Sequence, residues 1–494
     1  MQATPLKEIA LRWLLATGCF VLLIFFFSPP WAAFDLWSRV PELGAMLEVR
    51  RASAVLFQVN HLGAEIPDQL HGAIQWRLLF PAIGRALSLP VPVLFGLAHA
   101  GCVVALGFII TVLRRNGLGF FASGVAAVIL GATSWFFTSV SWLGYFDSWL
   151  VLGLLIVAFA ESRWSLWAAC LWAPWVDERF ALAAPLALIC RFFYLGPRVA
   201  ATAWKRDFAV AAGLVVAFAG VRLGILGPRS GNHATVHGYL SQFATLEGSF
   251  SRNVFGMWSG MRMAWIYLLL AVLVLRRRRT LAATVLGAGM TLLVGVGLAT
   301  AQDLSRAMML VMPVAVLGAI WTNEFKSGWN AVAIGSACAA LLLPAHHVMI
   351  DRVNPIYYLY HELAVFDSPP PAAMSELHEL RGIQAMQRGD LVAAAEALSL
   401  AIKLAQNPAG PAKQRGVLFA SQQQWAEARK DFSTMVEHAP KDPDGWFLRA
   451  QAALAVGDLA AAQADANQAL SVAPAGWAER ADVARFMARL RQSR

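Results

Sequence analysis

Eleven apolar stretches separated by short polar turns recur over the first 350 residues of this 494-residue chain. They lie at 11–28, 91–113, 119–140, 147–161, 164–176, 180–194, 208–227, 263–275, 281–301, 307–322 and 329–350. A helix needs about 20 apolar residues to cross the hydrocarbon core of a bilayer. In lipid it is one of the few structures that pairs all its own backbone groups. Residues 1–350 therefore read as an all-α, polytopic helical membrane bundle with about eleven transmembrane helices. Composition agrees: only 14% of residues are charged, against about 25% in soluble domains. Leu11–Ser28 has no small-x-small cleavage site before Pro29-Pro30 and reads as the first anchor, not as a removable signal. The amphipathic stretch Trp76–Leu89 reads as an interfacial segment.

Charge placement sets the expected orientation. The net charge of +10 would suit a nucleic-acid binder, but the basic residues sit in short loops between apolar runs, which is how membrane topology is set. No nucleic-acid partner is expected. With the N-terminus inside, the cytoplasmic set holds Lys7, Arg12, Arg114, Arg115, Arg163, Arg198, Lys205, Arg206, Arg276–Arg279 and Lys326. The segment 164–194 decides the parity. Two crossings keep the basic loops together, whereas one would send Arg276–Arg279 outside. The hairpin reading leaves the C-terminus on the outer side. The cysteines Cys19, Cys102, Cys170, Cys190 and Cys338 all lie in apolar runs without metal-ligand spacing and read as small hydrophobes.

Beyond residue 350 the composition changes. A linker over 351–374, containing Ser368-Pro369-Pro370-Pro371, leads into an Ala-rich region over 375–494. There Gly382, Gly416 and Ala450 recur every 34 residues, as do Ala394, Ala428 and Ala462, and Ala401, Met435 and Ala469. Small residues at that period resemble tetratricopeptide repeats, in which two helices cross closely and pairs stack into an α-solenoid. A capping helix is expected near Trp477–Leu490.

The ionisable residues near span ends fall on the expected outer side: Asp35, Asp147, the run Asp177-Glu178-Arg179, Asp303 with Arg306, and Arg77 with His71 in the first long loop. Charges at membrane depth are costly and mark function, so one shared site is expected. Simpler roles compete with it: a solvated loop acid for Asp35, a polar hairpin turn for 177–179, an i,i+3 pair for Asp303 and Arg306, and an interfacial anchor for Trp76-Arg77. His346-His347 has no evident third ligand and reads as interfacial polarity, so no metal site is assigned.

An odd number of spans near eleven, N-terminus in and C-terminus out, with an acid in the first outer loop, resembles the GT-C superfamily of membrane glycosyltransferases. A helical-repeat tail behind such a core is similar to the TMTC and protein O-mannosyltransferases. This chain has one acid in Phe34-Asp35-Leu36-Trp37 where that pattern has an adjacent pair. The resemblance implies transfer of a sugar from a polyprenyl-phosphate donor to a protein or glycan acceptor on the extracytoplasmic face. It implies Asp35, with Asp177 and Glu178, as catalytic carboxylates. Arg77, Asp147, Arg179, Asp303 and Arg306 would bind substrate. Arg suits this because its planar fork matches phosphate oxygens. No cofactor is required, and a divalent metal is optional. The compact size and the absence of glycosylation-type outer loops point to a bacterial inner membrane, with the repeats expected to bind an acceptor or partner protein in the periplasm. Two other readings stay open. One is an O-antigen polymerase or ligase type of oligosaccharyltransferase using the loop with His233, His237 and Arg252. The other is a non-catalytic scaffold or transporter.

Overall fold

The computed structural model describes residues 6–27, 47–64, 66, 74–196, 201–222, 250–300, 303–325, 329–348, 353–356, 371–474 and 477–492. They divide into two compact units, one holding the apolar helices and the other the helices from Pro371 onward.

The first unit contains α1 (Leu6–Phe26), α2 (Leu47–Asn60), α3 (Leu79–Ala86), α4 (Val91–Arg115), α5 (Phe120–Gly131), α6 (Ser134–Ser141), α7 (Asp147–Phe159), α8 (Arg163–Trp172), α9 (Arg179–Leu195) and α10 (Ala201–Gly220). They are followed by α11 (Ser251–Arg278), α12 (Thr280–Thr300), α13 (Leu304–Glu324) and α14 (Trp329–Leu342). Four of these, α1, α4, α11 and α13, are long and apolar enough to cross a membrane, and the pair α5–α6, bent by 69°, makes a fifth if counted as one span. This is a membrane protein built of helices. Most of the other expected spans correspond to helices that are shorter or more charged; α12, with 21 uncharged residues, is the exception. The 13 residues of α7 reach about 20 Å at 1.5 Å per residue, short of the roughly 30 Å hydrocarbon core. The 17-residue helix α9 carries Arg179, Pro185 and Arg191, and α10 carries Lys205, Arg206 and Asp207.

Basic residues gather at one end of this unit. Glu8 in α1 pairs with Arg12 at 2.7 Å and with Arg114 at the C-terminus of α4 at 3.2 Å. At the same end Asn116 donates to the Tyr194 hydroxyl at 3.2 Å, and Asn323 donates to the Asn116 carbonyl at 3.2 Å. Arg278 pairs with Glu324. The ends of α4, α9, α11 and α13 are thereby tied together, and chain direction brings Arg163, Lys205 and Arg206 to that end as well.

The expected span 329–350 stops early. The helix α14 ends at Leu342, and Ala345–Val348 (β1) pairs antiparallel with Val353–Ile356 (β2), Ala345 opposite Ile356 and Val348 opposite Val353. Pro344 has no amide to extend a helix, and β2 draws residues of the expected linker into the bundle unit.

In the second unit three helix pairs follow one another: α15 (Pro371–Gln387) with α16 (Leu391–Leu404), α17 (Ala409–Ser421) with α18 (Trp425–His438), and α19 (Pro443–Ala455) with α20 (Leu459–Val472). A seventh helix, α21 (Arg480–Gln492), closes the last pair with Val483, Phe486 and Leu490 packed on Phe447, Ala450 and Ala466. The 34-residue period has a steric cause. A Cβ on Gly382 would run into Leu398, and one on Gly416 would lie 2.5 Å from the Phe432 ring, so small residues are needed where the paired helices cross. The period also appears in features that the small-residue registers do not contain. Arg415 makes a two-pronged pair with Asp431 (2.9 and 2.7 Å), and 34 residues later Arg449 makes the same pair with Asp465 (2.7 and 2.7 Å). The inter-helix turn places Gly389, Gln423 and Gly457 at φ of 79°, 60° and 83°.

Only the middle repeat puts a residue with a Cβ in that left-handed turn, which costs roughly 1–2 kcal/mol. Gln423→Gly is therefore expected to stabilise the repeat unit by about 1 kcal/mol. A calorimetric scan of the full chain checks this, and an unchanged or lowered transition for the tail would contradict it.

Candidate functional site

At the end of the bundle opposite the basic loops, the chain buries a cluster of arginines and carboxylates. Its centre is Asp147, the first residue of α7, which is 1% exposed. Arg306, in the first turn of α13, grips it with two bonds, Nε to Oδ2 at 2.7 Å and Nη2 to Oδ1 at 2.6 Å. Thr138 of α6 donates to the same Oδ2 at 2.6 Å, and Arg179 reaches Oδ1 at 3.2 Å. Arg179 also forks onto Asp177 at 2.9 and 2.6 Å. Arg77 closes the far side, with Nη1 2.8 Å from Asp177 and two bonds of 3.1 Å to Glu178.

The α13 side is held by local chemistry. Asp303 caps the helix by accepting the Arg306 amide at 3.1 Å, an arrangement that satisfies a free backbone donor of the first turn. Its other oxygen lies 3.0 Å from His347 Nε2, and His347 Nδ1 lies 3.1 Å from Ser305 Oγ. Ser305 in turn accepts the Val348 amide at 3.1 Å. The β1 strand is thus bonded to the start of α13.

Seven of the eight expected site residues, Arg77, Asp147, Asp177, Glu178, Arg179, Asp303 and Arg306, lie in this one network. The eighth, Asp35, lies outside the described residues, as do His71, His233 and His237. Arg252 lies half-buried in α11. The expected Asp303–Arg306 side-chain pair is loose, at 3.6 Å; the main partner of Arg306 is Asp147, 159 positions away.

Arg51, Tyr145, Thr138, Ser305 and His347 complete the cluster without having been expected there. Arg51 is 4% exposed and donates to the Gly144 carbonyl at 2.9 Å. Gly144 adopts φ 78°, and a Cβ on it would sit 3.1 Å from the Arg51 backbone, so this close approach needs glycine. The Tyr145 ring has the Arg51 guanidinium 3.8 Å and the Arg306 guanidinium 4.6 Å from its centroid. Arg222 adds a fifth guanidinium over Trp76 at 5.9 Å. Among the described residues no group of three or more His, Cys, Asp or Glu is placed to hold a metal ion.

The electrostatics separate the carboxylates from Arg51. Burial alone would raise the Asp177 carboxyl, but Arg179 and Arg77 hold it well below the usual carboxylate range. Burial likewise opposes ionisation of Glu178 and Asp303, and Arg77 for the first and His347 with Arg306 for the second bring them down. Such carboxylates stay charged and are weak bases. Asp177 and Glu178, expected as catalytic, are placed to hold arginines. Arg51 goes the other way. Burial, then repulsion from Arg77 and Arg306, pulls it down to about 9, and it has no carboxylate in contact among the described residues. Among the described residues the cluster holds five guanidiniums for four carboxylates, and Arg51 is the buried one that bonds no carboxylate.

Compared with protein families, with curated proteins and with solved structures, the chain matches none.

Because Asp177 has a lowered folded value, its ion pairs contribute stability that is complete above the unfolded carboxyl range near 4 and is lost as pH falls through the folded value. Thermal unfolding in detergent is expected to show a flat midpoint from pH 8 to about 5 and a decline below about 4. Asp177→Asn should lower the midpoint at pH 7, since stripping one partner from a buried pair costs about 3–5 kcal/mol, and should flatten the acid limb. An acid limb as steep in Asp177→Asn as in the parent would contradict the assignment.

Proposed function

We propose that the chain is a membrane glycosyltransferase of the GT-C kind, moving a sugar from a polyprenyl-phosphate donor to an acceptor outside the cytoplasm. The observation that carries this reading is Arg51, a buried guanidinium that meets no carboxylate among the described residues, in a cluster whose described positive charge exceeds its described negative charge. An anion of phosphate type is the ligand that such a site lacks. The cluster sits where apolar helices begin and end, the depth at which a polyprenyl phosphate keeps its tail in lipid.

In this reading the acceptor hydroxyl attacks the sugar's anomeric carbon through an oxocarbenium-like state. The bond from that carbon to the phosphate oxygen breaks, and the bonding electrons leave with the phosphate. Asp35 takes the acceptor proton. Arg51 neutralises the leaving phosphate, with Arg77 beside it. Arg306 and Arg179 are already gripped by Asp147 and Asp177, and Arg306 shares the Tyr145 ring with Arg51. The phosphate role expected of Arg306 therefore passes mainly to Arg51.

The surrounding layout is part of the same proposal. Eleven crossings would carry the chain from the basic end to the cluster end, with short helices crossing where the bundle is thin. The basic end would face a bacterial cytoplasm and the tail the periplasm. The helix pairs of the tail, with their 34-residue period and αL turns, favour a tetratricopeptide-type solenoid that binds an acceptor or partner protein.

Two measurements test this. Arg51→Ala should weaken donor binding by roughly 10–100-fold, the worth of a charged hydrogen bond, with little change in unfolding. Asp35→Asn should leave binding intact and reduce transfer by about 10²–10⁴-fold. Donor affinity unchanged in Arg51→Ala would remove the phosphate from this site. For topology, a labelling cysteine at the exposed Glu437, in a background with the exposed Cys338 replaced by serine, should react from outside sealed cells. Reaction only after lysis would reverse the orientation.

A further inference from the structure

The end of the bundle away from the ion cluster carries a second feature of separate chemistry. Between the last turns of α9 and the first turns of α10 a cavity of about 350 Å³ is lined by Phe192, Trp204, Lys205 and Phe208. The Phe192 and Trp204 rings meet edge to face at 5.3 Å. Phe192 and Phe208 are both about half exposed, at 48% and 53%. In α10, Lys205 and Phe208 are three positions apart and share a face, so the cavity has an ammonium at its mouth and aromatic walls beneath. The Trp204 indole N–H is buried and has no hydrogen-bond partner among the described residues.

The surroundings repeat the pattern. The helix α8 packs against α10 and opens with Arg163, whose guanidinium lies 5.5 Å over Trp164 and 5.9 Å over Trp167. Lys205 and Arg206 are exposed and form no ion pair among the described residues. Asp207, the acid of this stretch, turns inward at 6% exposed, toward the side of Arg191, whose charge it offsets. Glu161 is exposed on the turn before α8. Tryptophans and basic residues at one level mark the headgroup region of a membrane, and an uncovered aromatic groove at that level faces acyl chains.

We propose that this groove is a specific seat for an anionic phospholipid. The phosphate rests between Lys205 and Arg206, with the Trp204 ring beside it. One acyl chain runs along Phe192 and Phe208. The lipid belongs to the leaflet opposite the ion cluster, so it is neither donor nor product of the transfer proposed above, and the inference does not rest on that reading. Phosphatidylglycerol and phosphatidylcholine share the phosphate and the chains. They differ in net charge, and the seat prefers the first because Lys205 and Arg206 attract the lipid that carries a net negative charge.

The full chain in neutral detergent is titrated with phosphatidylglycerol and with phosphatidylcholine of matched acyl chains, and bound lipid is counted by native mass spectrometry. The parent should retain phosphatidylglycerol preferentially. Each basic residue near an anionic headgroup is worth roughly fivefold, so Lys205→Gln with Arg206→Gln should cut the preference about 10-fold or more. Phe208→Ala should weaken both lipids alike. Arg276→Gln with Arg277→Gln removes two charges from another basic loop at the same end and should leave the preference intact, which also controls for general charge and folding. Equal retention of the two lipids by the parent, or an equal loss in the Arg276/Arg277 variant, would overturn the seat. Displacement of the lipid by millimolar inorganic phosphate would overturn it too, by showing a phosphate site without lipid.

Discussion

The bond between Asp147 and Arg306 organises everything around it. It joins the start of α7 to the start of α13 across 159 positions, in a place where neither charge reaches water. Two full charges taken out of water are tolerated only when their geometry is nearly ideal and their remaining valences are filled. Here they are filled: Thr138 and Arg179 complete Asp147, while Asp303 and the Tyr145 ring attend Arg306. Each of those groups sits on a different helix or loop. The pair therefore fixes the relative depth of α6, α7, α9 and α13, because sliding any one of them by a turn would strand a buried charge.

That constraint explains why the cluster is arranged as a ladder and not as isolated pairs. Asp147 is shared by Arg306 and Arg179, and Asp177 by Arg179 and Arg77. Sharing lets each charge see two opposite neighbours, which lowers the cost of desolvating all of them. Arg51 stands beside the ladder, held by the Gly144 carbonyl and by the Tyr145 ring that Arg306 also meets, and it bonds no carboxylate among the described residues.

Much of this was legible in the sequence, for a definite reason. Asp147, Asp177, Glu178, Asp303 and Arg306 are charges at the edges of apolar runs, and membrane depth makes such charges conspicuous. Parity of crossings then puts them on one side. Arg51 had no such signal. It follows Arg50 in a stretch of ordinary polarity and looks like a solvated charge, and its burial depends on Gly144, 93 positions away. His347 looked like interfacial polarity because its partners, Asp303 and Ser305, belong to another helix. Helix ends were the other weak point. An apolar run over 329–350 does not reveal that Pro344 ends the helix and that β2 pairs back onto β1. In the tail the small-residue registers were visible, while the Arg–Asp pairs at a separation of 16 gave no signal in the first repeat, where Ala397 stands in the register of Asp431 and Asp465.

The two ends of the bundle solve opposite problems. At the cluster end the arginines are buried, and all the described ones but Arg51 and Arg222 are bonded to carboxylates. At the other end Arg276, Arg277, Lys205 and Arg206 stand exposed, where pairing would add little because surface ion pairs are worth about 0–1 kcal/mol. Their free charge is instead available to an anionic membrane surface. The same residue type therefore orders the protein's interior at one end and meets its solvent at the other.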